Sequence, residues 1–142
     1  MATDPARLAR QFIQAIPHAN ALSMEISRIE AGVAEITMPY DTRFVGDPAT
    51  GVIAGGAVSA LMDTCGGAAV MCHPESPIGT ATIDLRIDYM RSATPGQAVT
   101  ARAECYHITR SVAFVRATAF DEDPERPVAT ATGAFTVERA KR

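Results

Sequence analysis

Tryptophan is absent from this sequence of 142 residues, and aromatic residues make up only 6% of it. A core must therefore be built from alanine, valine, isoleucine, leucine and methionine, and the hydrophobic content of 47% can supply it. The length suits one domain of ordinary size. We predict a single domain over residues 1–142, in which residues 1–20 form an N-terminal helical segment.

An excess of positive charge is also missing. Lysine and arginine together number 13 against 16 aspartates and glutamates, which gives a net charge of -3 and a pI of about 5.5. Non-specific nucleic-acid binding needs a basic field, so we expect no nucleic-acid partner. The balance does not exclude small anionic ligands, because a few local arginines suffice for those.

Cysteine is scarce, and its three positions show no paired spacing. Cys65 and Cys72 lie seven residues apart on a predicted helix, which is too far for a disulfide. We expect buried, reduced thiols at these positions and at Cys105, and therefore a cytoplasmic location. The opening MATDPARLARQF contains no apolar run of the kind that a secretory signal has.

Several motifs with known chemistry are missing. His18, His73 and His107 show no metal-ligand spacing, so we predict no metal site. A G-x-S-x-G sequence is absent, which removes support for a Ser-His-Asp hydrolase. Neither a P-loop nor G-x-G-x-x-G is found, so the paired glycines do not indicate nucleotide binding.

The most informative feature present is one acid inside a long apolar segment. From Val52 to Cys72 the sequence reads VIAGGAVSALMDTCGGAAVMC, and Asp63 is its only charged residue. Burying an ionised carboxylate without partners is costly, so such an acid shifts its pKa or has a specific use. Gly55 and Gly56 place free backbone N–H groups about two helical turns before the acid. Both an acyl-transfer site and a buried helix with a hydrogen-bonded acid fit this pattern.

The same segment approaches the length of a membrane span. Its four glycines and its central acid argue against a span, because an acid at mid-membrane costs a few kcal/mol. We therefore expect no membrane insertion.

Hydrophobic periodicity and turn residues predict the other elements. They are a helix over 5–16 that Pro17 stops, strands over 23–30 and 33–39, a loop over 40–51, a helix over 55–72, and strands over 82–90, 97–109, 112–121 and 127–137. In the strand over 82–90 we expect one face to carry Ile83, Leu85, Ile87 and Tyr89, and the opposite face to carry Thr82, Asp84, Arg86 and Asp88.

This order predicts an α+β domain with a mostly antiparallel sheet wrapped round one helix. The helix over 55–72 is apolar on nearly every face, so a sheet on one side would leave part of it exposed. A second copy of the chain would cover the rest. We therefore predict a homodimer at least.

Three segments, in this order, resemble the hotdog-fold acyl-CoA thioesterases, most of all the branch typified by phenylacetyl-CoA thioesterase. They are GVIAGGAVSALMD over 51–63, ATIDLRIDYMRSA over 81–93, and TRSVAFVRATAFDED over 109–123 followed by VATATGAF over 128–135. The family writes the first as G-x-x-H-G-G with an acid seven residues after the second glycine. The resemblance implies a hotdog fold over residues 21–137. It also implies hydrolysis of an acyl-CoA to free acid and CoA, with no cofactor besides the CoA of the substrate.

The resemblance also implies roles for particular residues. Asp63 matches the catalytic acid, which acts as a general base on water or as a nucleophile through a transient anhydride. Gly55 matches the glycine whose N–H, with the helix dipole, polarises the thioester carbonyl. Thr82 falls where some relatives place a hydroxyl that reaches across the dimer to position the water. The stretches that line the CoA channel in relatives match Arg91, Arg110 and Ser111. An exposed surface charge remains the alternative for each arginine.

The resemblance also implies that Asp47, Ala54 and Gly56 are substrate-binding residues. Two of these three positions depart from the family pattern. Ala54 replaces the usual His, which removes a hydrogen-bonding group beside Gly55. Asp47 replaces the usual Asn, which would put a second carboxylate near Asp63 and raise the pKa of one of them. These departures keep a weak or inactive acyl-CoA binder open. A hotdog hydratase or dehydratase is a further alternative, although its acid–His pairing is not found. The superfamily usually pairs its dimers, so we expect a dimer of dimers.

Overall fold

The structure is a computed structural model that describes residues 4–141. Its elements are α1 (Pro5–Gln14), α2 (Pro17–Ala21), β1 (Glu25–Glu30), β2 (Val33–Met38), a 3₁₀ turn (Thr42–Phe44), β3 (Val45–Asp47), β4 (Val52–Ile53), α3 (Gly55–Met71), β5 (Thr82–Tyr89), β6 (Val99–Ile108), β7 (Val112–Phe120) and β8 (Ala129–Thr136). The six longer strands form one antiparallel sheet in the order β1-β2-β6-β7-β8-β5, and β3 pairs with β4. The predicted α+β class is confirmed.

Helix α3 lies at the centre of the fold. It packs against β2, β6 and β7 on one side and against α1 on another. Leu61, Met62 and Cys65 are completely buried there, and burying a side chain as large as leucine or methionine contributes about 1.5–3 kcal/mol. One stripe of α3 stays uncovered by this chain, and its exposed or half-buried positions are Gly55, Gly56, Ser59, Ala60, Asp63 and Thr64.

Helix α3 and the sheet approach each other closely, because few large aromatic side chains lie between them. Phe135 on β8 is buried against α3, where a Cβ added to Gly66 would come within 2.7 Å of the ring atom Cζ. The other inward positions of the sheet are largely alanine: Ala34, Ala101, Ala103, Ala113, Ala117, Ala119, Ala129 and Ala131. Small side chains on both surfaces therefore let the helix sit close to the sheet.

The N-terminal region and the loop differ from the prediction. Helix α1 ends at Gln14, and Pro17 begins α2 instead of only stopping the first helix. Proline suits the first turn of a helix because the N–H that it lacks has no partner there. The predicted loop over 40–51 contains the 3₁₀ turn and β3, which pairs with β4 as a short hairpin. The remaining predicted elements match the observed ones with ends shifted by up to two residues.

A β-bulge changes the facing of one predicted strand residue. Thr82 pairs with Phe135 and Asp84 pairs with Ala134, so Ile83 is an extra residue on β5. Thr82 consequently faces the helix, and the predicted alternation, which put it on the outer face, is wrong at this position. The Asp84 carboxylate accepts a 3.1 Å hydrogen bond from the Ala134 N–H and holds the bulge.

The three cysteines are buried and free. The Cys65 thiol lies 3.3 Å from the carbonyl oxygens of Ala34 and Ala101, and burial raises its pKa well above the ordinary value. Burial also raises the pKa of Cys105 to about 11. These thiols are structural, since reactivity needs an accessible thiolate. Over residues 4–141, no helix has the length and apolar character that a membrane span requires.

Candidate active site

Asp63 lies exposed on the uncovered stripe of α3, so a single chain does not bury this acid. The hydroxyl of Thr82 donates a 2.6 Å hydrogen bond to Asp63 Oδ1. A hydroxyl–carboxylate bond of this length is strong and fixes the carboxylate. Oδ2 accepts no hydrogen bond from any residue between 4 and 141. The bond is made within one chain, whereas the resemblance implied a threonine that reaches across a dimer.

A half-open cleft of about 170 Å³ adjoins Asp63. Its lining residues are Phe12, Ile16, His18, Ala60, Asp63, Thr64, Gly67, Thr80, Thr82 and Phe135. The wall opposite Asp63 comes from α1, which approaches so closely that a Cβ on Gly67 would lie 3.0 Å from the Phe12 ring. The cleft is therefore lined by apolar side chains, among them Phe12 and Phe135, together with polar ones.

His18 is a member of this cleft that the sequence analysis set aside. It is the second residue of α2, and α2 was not predicted because Pro17 was interpreted only as a helix stop. Proline at a first helical position was the signal that could have identified α2. Between residues 4 and 141, no group of three His, Cys, Asp or Glu side chains could hold a metal ion.

The first turn of α3 presents unpaired backbone donors. Ala54 is the N-cap and makes no side-chain capping bond. Its N–H donates to the Phe44 carbonyl at 2.8 Å, but the N–H groups of Gly55 and Gly56 find no acceptor in residues 4–141. Two free N–H groups at the positive end of a helix dipole suit an anion or a developing oxyanion.

A second cleft, of about 380 Å³, adjoins this helix end. Its lining residues are Val52, Ile53, Gly55, Val58, Tyr89, Met90, Arg91, Ser92, Ala93 and Val128. The Tyr89 hydroxyl donates to the Gly55 carbonyl at 2.9 Å and also contacts the Ser59 hydroxyl. The cleft thus combines the helix N-terminus with the Tyr89 hydroxyl, and Ser59 contacts that hydroxyl from outside the lining.

Asp63 and Gly55 cannot serve the same carbonyl within one chain. Eight residues of helix separate them, which amounts to about 12 Å along the axis. The clefts that they line share no residue. An oxyanion donor acts at about 3 Å, so the two groups are too far apart to act together in a single copy.

Asp47 does not line the Asp63 cleft. Its carboxylate accepts hydrogen bonds from the Ala49 N–H at 3.0 Å and the Thr50 hydroxyl at 2.9 Å, and its carbonyl accepts from the Gly51 N–H at 2.8 Å. The side chain therefore closes the turn between β3 and β4. The expected repulsion between Asp47 and Asp63 finds no support within one chain.

Arg91 is held in an ion pair that the sequence analysis missed. Its guanidinium makes two 2.8 Å bonds to Asp121, and its other donors reach the carbonyls of Ser92 and Arg126. All five N–H groups are thus occupied. Thr94 adds two further bonds to Asp121. Arg91 holds the pKa of the Asp121 carboxyl well below its usual range, and the pairing depends on long-range register that no local motif announces.

Arg110 and Ser111 lie on the exposed turn between β6 and β7. The Arg110 carbonyl accepts a 3.1 Å bond from Arg139, which also pairs with Glu75 just beyond the C-terminal end of α3. Arg91 lines the cleft at the opposite end of that helix. One chain therefore does not bring the three predicted CoA contacts together.

Comparison with known proteins agrees with this architecture. A medium/long-chain acyl-CoA thioesterase, YigI of Salmonella typhimurium, is 27% identical over 92% of this chain and 91% of its own. A solved Pseudomonas aeruginosa protein is 36% identical with a TM-score of 0.84, covering 93% of this chain and 98% of that one. The Escherichia coli PaaI protein, from a phenylacetic acid degradation operon, has the same fold at 18% identity, with a TM-score of 0.83 over 97% of this chain and 96% of its own.

The sequence model of the thioesterase superfamily matches residues 50–128, which is more than half of the chain and includes all of α3. The hotdog fold and the acyl-CoA thioesterase class that the resemblance implied are thereby confirmed. This chain belongs to the thioesterase superfamily and is a thioester hydrolase.

Proposed function

We propose that the protein hydrolyses an acyl- or aryl-acyl-CoA thioester to the free acid and CoA, with Asp63 as the reacting carboxylate. The observation that carries the proposal is the 2.6 Å bond from Thr82 to Asp63. It holds an acid in one orientation on an uncovered face of the helix, with Oδ2 directed to no group of residues 4–141. A fixed carboxylate with one free oxygen suits a general base or a nucleophile.

The chemistry follows from these groups in either of two ways. As a base, Asp63 takes a proton from water while the water oxygen attacks the thioester carbon. As a nucleophile, Asp63 attacks that carbon itself and water then hydrolyses the resulting anhydride. In both routes the N–H groups of Gly55 and Gly56 stabilise the oxyanion. The C–S bond breaks as the tetrahedral intermediate collapses, which in the nucleophilic route is the step that forms the anhydride. CoA leaves as a thiolate, and the proton taken from water then passes to it.

A complete site needs two copies of the chain. Since Asp63 and Gly55 of one copy lie about 12 Å apart, a single carbonyl meets both only when each comes from a different copy. Edge strand β5 supports such pairing, because Ile83 is 57% exposed and Tyr89 51% exposed along it, with Met90 59% exposed just beyond. An edge strand has unpaired backbone N–H and C=O groups that can pair with the same strand of another chain. We propose a homodimer, and a dimer of dimers above it.

The Asp63 cleft takes the acyl end of the ester. Its volume of about 170 Å³ is close to that of an engineered apolar cavity of about 150 Å³ that binds benzene. A ring or a short chain therefore fits beside Asp63, and a longer chain has to pass Phe12. The free thiols of the three buried cysteines support a cytoplasmic location.

The test is thiol release from a panel of acyl-CoAs of short to long chain, with benzoyl and phenylacetyl esters included. We expect Asp63→Ala and Asp63→Asn to abolish turnover while the fold is retained. Glu104→Gln, which neutralises an exposed carboxylate on β6, serves as the matched control. Unchanged turnover in folded Asp63 variants would refute the proposal.

A catalytically weak acyl-CoA binder is the second candidate, and Ala54 is the observation that favours it. The N-cap of α3 carries no side-chain hydrogen bond, so the helix end lacks the group that relatives place there. This candidate predicts acyl-CoA affinity by calorimetry without thiol release. It also predicts that Ala54→His combined with Asp47→Asn raises turnover, and no gain would count against it.

A further inference from the structure

We infer that Tyr89 is a positioning residue for the helix end that polarises the substrate, and that Ser59 supports it. The inference rests on the proposed function and adds two residues to it. The Tyr89 hydroxyl donates to the Gly55 carbonyl at 2.9 Å and contacts the Ser59 hydroxyl. Both side chains belong to the region where the N–H groups of Gly55 and Gly56 are unpaired.

The first turn of α3 is held by backbone hydrogen bonds of Ala54 and receives little support from side chains. The turn begins with Gly55 and Gly56, and glycine has the most flexible backbone of all residues. Ala54 provides no capping side chain. Among residues 4–141, Tyr89 is the only side chain that hydrogen-bonds to the backbone of residues 54–57. Tyr89 therefore gives this turn a side-chain anchor that its own sequence does not supply.

The bond from Tyr89 acts on the peptide unit that supplies an oxyanion donor. The carbonyl of Gly55 and the N–H of Gly56 belong to one planar peptide, so fixing the first fixes the direction of the second. Donation to the carbonyl also polarises the peptide and makes its N–H a better donor. Anchoring the Gly55 carbonyl restricts the rotation of that residue as well. Both free donors are consequently held in place.

Ser59 completes a chain of hydroxyls. A phenolic hydroxyl has one proton, and Tyr89 gives it to Gly55. The contact between Tyr89 and Ser59 is therefore donated by Ser59, whose own proton points to the phenolic oxygen. Ser59 thus donates to Tyr89, and Tyr89 donates to the Gly55 carbonyl. The Gly56 N–H, on the same peptide as that carbonyl, is the last donor of this chain and is the one that faces the substrate in the proposed site. The effect of Ser59 thus passes through Tyr89.

Tyr89→Phe is the direct test because it keeps the ring beside Gly55 and removes only the hydroxyl. We expect kcat to fall about tenfold, as for the loss of one hydrogen bond, with KM unchanged. Ser59→Ala should lower kcat less in the wild type and should have no further effect in Tyr89→Phe. Tyr106→Phe is the matched control, since Tyr106 is exposed on β6 and covers Arg116 with its ring.

If Tyr89 only stabilised the fold, the unfolding midpoint of Tyr89→Phe would fall while its kcat per folded site stayed at the wild-type value. This result would overturn the inference. Additive effects of the Tyr89 and Ser59 variants would equally overturn the proposed chain.

The backbone amides give a readout that needs no turnover. The Ala57 and Val58 amides donate to the Ala54 carbonyl and are the hydrogen-bonded amides of this turn. Their hydrogen exchange should accelerate in Tyr89→Phe and stay unchanged in Tyr106→Phe.

These readouts separate the inference from the proposed function. If the wild type releases no thiol from any ester, the proposed function fails and the amide exchange alone decides the role of Tyr89. If Asp63→Ala abolishes turnover while Tyr89→Phe keeps both wild-type kcat and wild-type exchange, the inference fails and the proposed function stands.

Discussion

The Thr82 hydroxyl donates to Asp63 at 2.6 Å because the bulge at Ile83 turns Thr82 from the outer face of β5 to the helix face. The bulge thereby converts an ordinary edge-strand threonine into the group that orients Asp63, the acid that we propose to react. Bulges are common beside active sites for this reason, since one extra residue re-aims a side chain.

Thr82→Val removes the hydroxyl and keeps the shape of the side chain. We expect kcat to fall about tenfold, because the carboxylate loses a charge-assisted hydrogen bond and its fixed orientation. Thr82→Ser should retain most of the activity. Thr132→Val, on the outer face of β8, provides the control. Steady-state kinetics of the three variants checks this, and wild-type kcat in Thr82→Val would show that the bond has no catalytic role.

The ion pair of Arg91 and Asp121 predicts a large loss of stability. The Asp121 side chain is 1% exposed, and Arg91, Thr94 and the Asp123 N–H all donate to it. Asp121→Ala takes the acceptor from two of the five Arg91 N–H groups, while the bonds to two backbone carbonyls remain. We expect a cost of about 1.5–3 kcal/mol, as for hydrogen bonds to a charged group. Urea unfolding at pH 7 measures this loss. A difference below about 1 kcal/mol would mean that the pair behaves like an exposed one.

The same pair predicts a pH dependence with a definite sign. Arg91 lowers the pKa of folded Asp121, whereas the unfolded carboxyl titrates near its ordinary value of about 3.9. The stabilisation is therefore complete above about pH 5 and declines as pH falls below about 4 towards the folded pKa. The difference in unfolding free energy between wild type and Asp121→Ala should shrink between pH 5 and pH 3. A difference that is constant or grows over that range would contradict this assignment.

The close contact between Gly66 and Phe135 predicts that one additional methyl group at Gly66 destabilises the core. A Cβ at Gly66 would lie 2.7 Å from the Phe135 ring, and that ring is 1% exposed. Gly66→Ala should therefore destabilise the fold by about 1–3 kcal/mol. Gly56→Ala is the stability control, since its Cβ meets no atom within 4 Å. Equal melting temperatures for the two variants would disprove the close packing.

Replacing Phe12 is expected to change which acyl chain length the protein prefers. The Phe12 ring lies against the Gly67 position and lines the Asp63 cleft. Phe12→Ala should raise kcat/KM for longer acyl chains relative to short ones by about tenfold, as expected when a pocket gains room for additional methylenes. Phe12→Leu should give an intermediate ratio. The acyl-CoA panel measures the ratios, and ratios equal to those of the wild type in folded variants would place the acyl group elsewhere.

Much of the fold follows from local patterns in the sequence. The long apolar run over 55–72 and the alternation in the second half identify α3 and the strands, because burial repeats with the period of each element. Asp63 and the glycines could be identified as candidate site residues from the sequence, because they are the only charged residue and the glycine pairs in an otherwise uniformly apolar segment. The single domain over residues 1–142 and the homodimer remain predictions.

The features that the sequence did not predict depend on contacts between distant residues. The bulge at Ile83 is set by the register of β5 on β8. The bonds between Arg91 and Asp121 join positions thirty residues apart. His18 reaches the cleft through α2, which begins at a proline. Each of these depends on tertiary packing that a window of neighbouring residues does not contain.

The central claim is that Asp63 of one copy and the Gly55 N–H of another form one site. Two variants test it: Asp63→Asn removes the acid, and Gly55→Pro removes the N–H. Proline is tolerated at a first helical position, and Ala54 before it has the extended backbone, with φ -58° and ψ 137°, that a following proline requires.

The measurement is thiol release after the two inactive variants are unfolded together and refolded as a mixture. A shared site predicts recovery to about one quarter of wild-type activity, because about half of the dimers are mixed and each mixed dimer has one intact site of two. Mixtures as inactive as the separate variants would contradict the account.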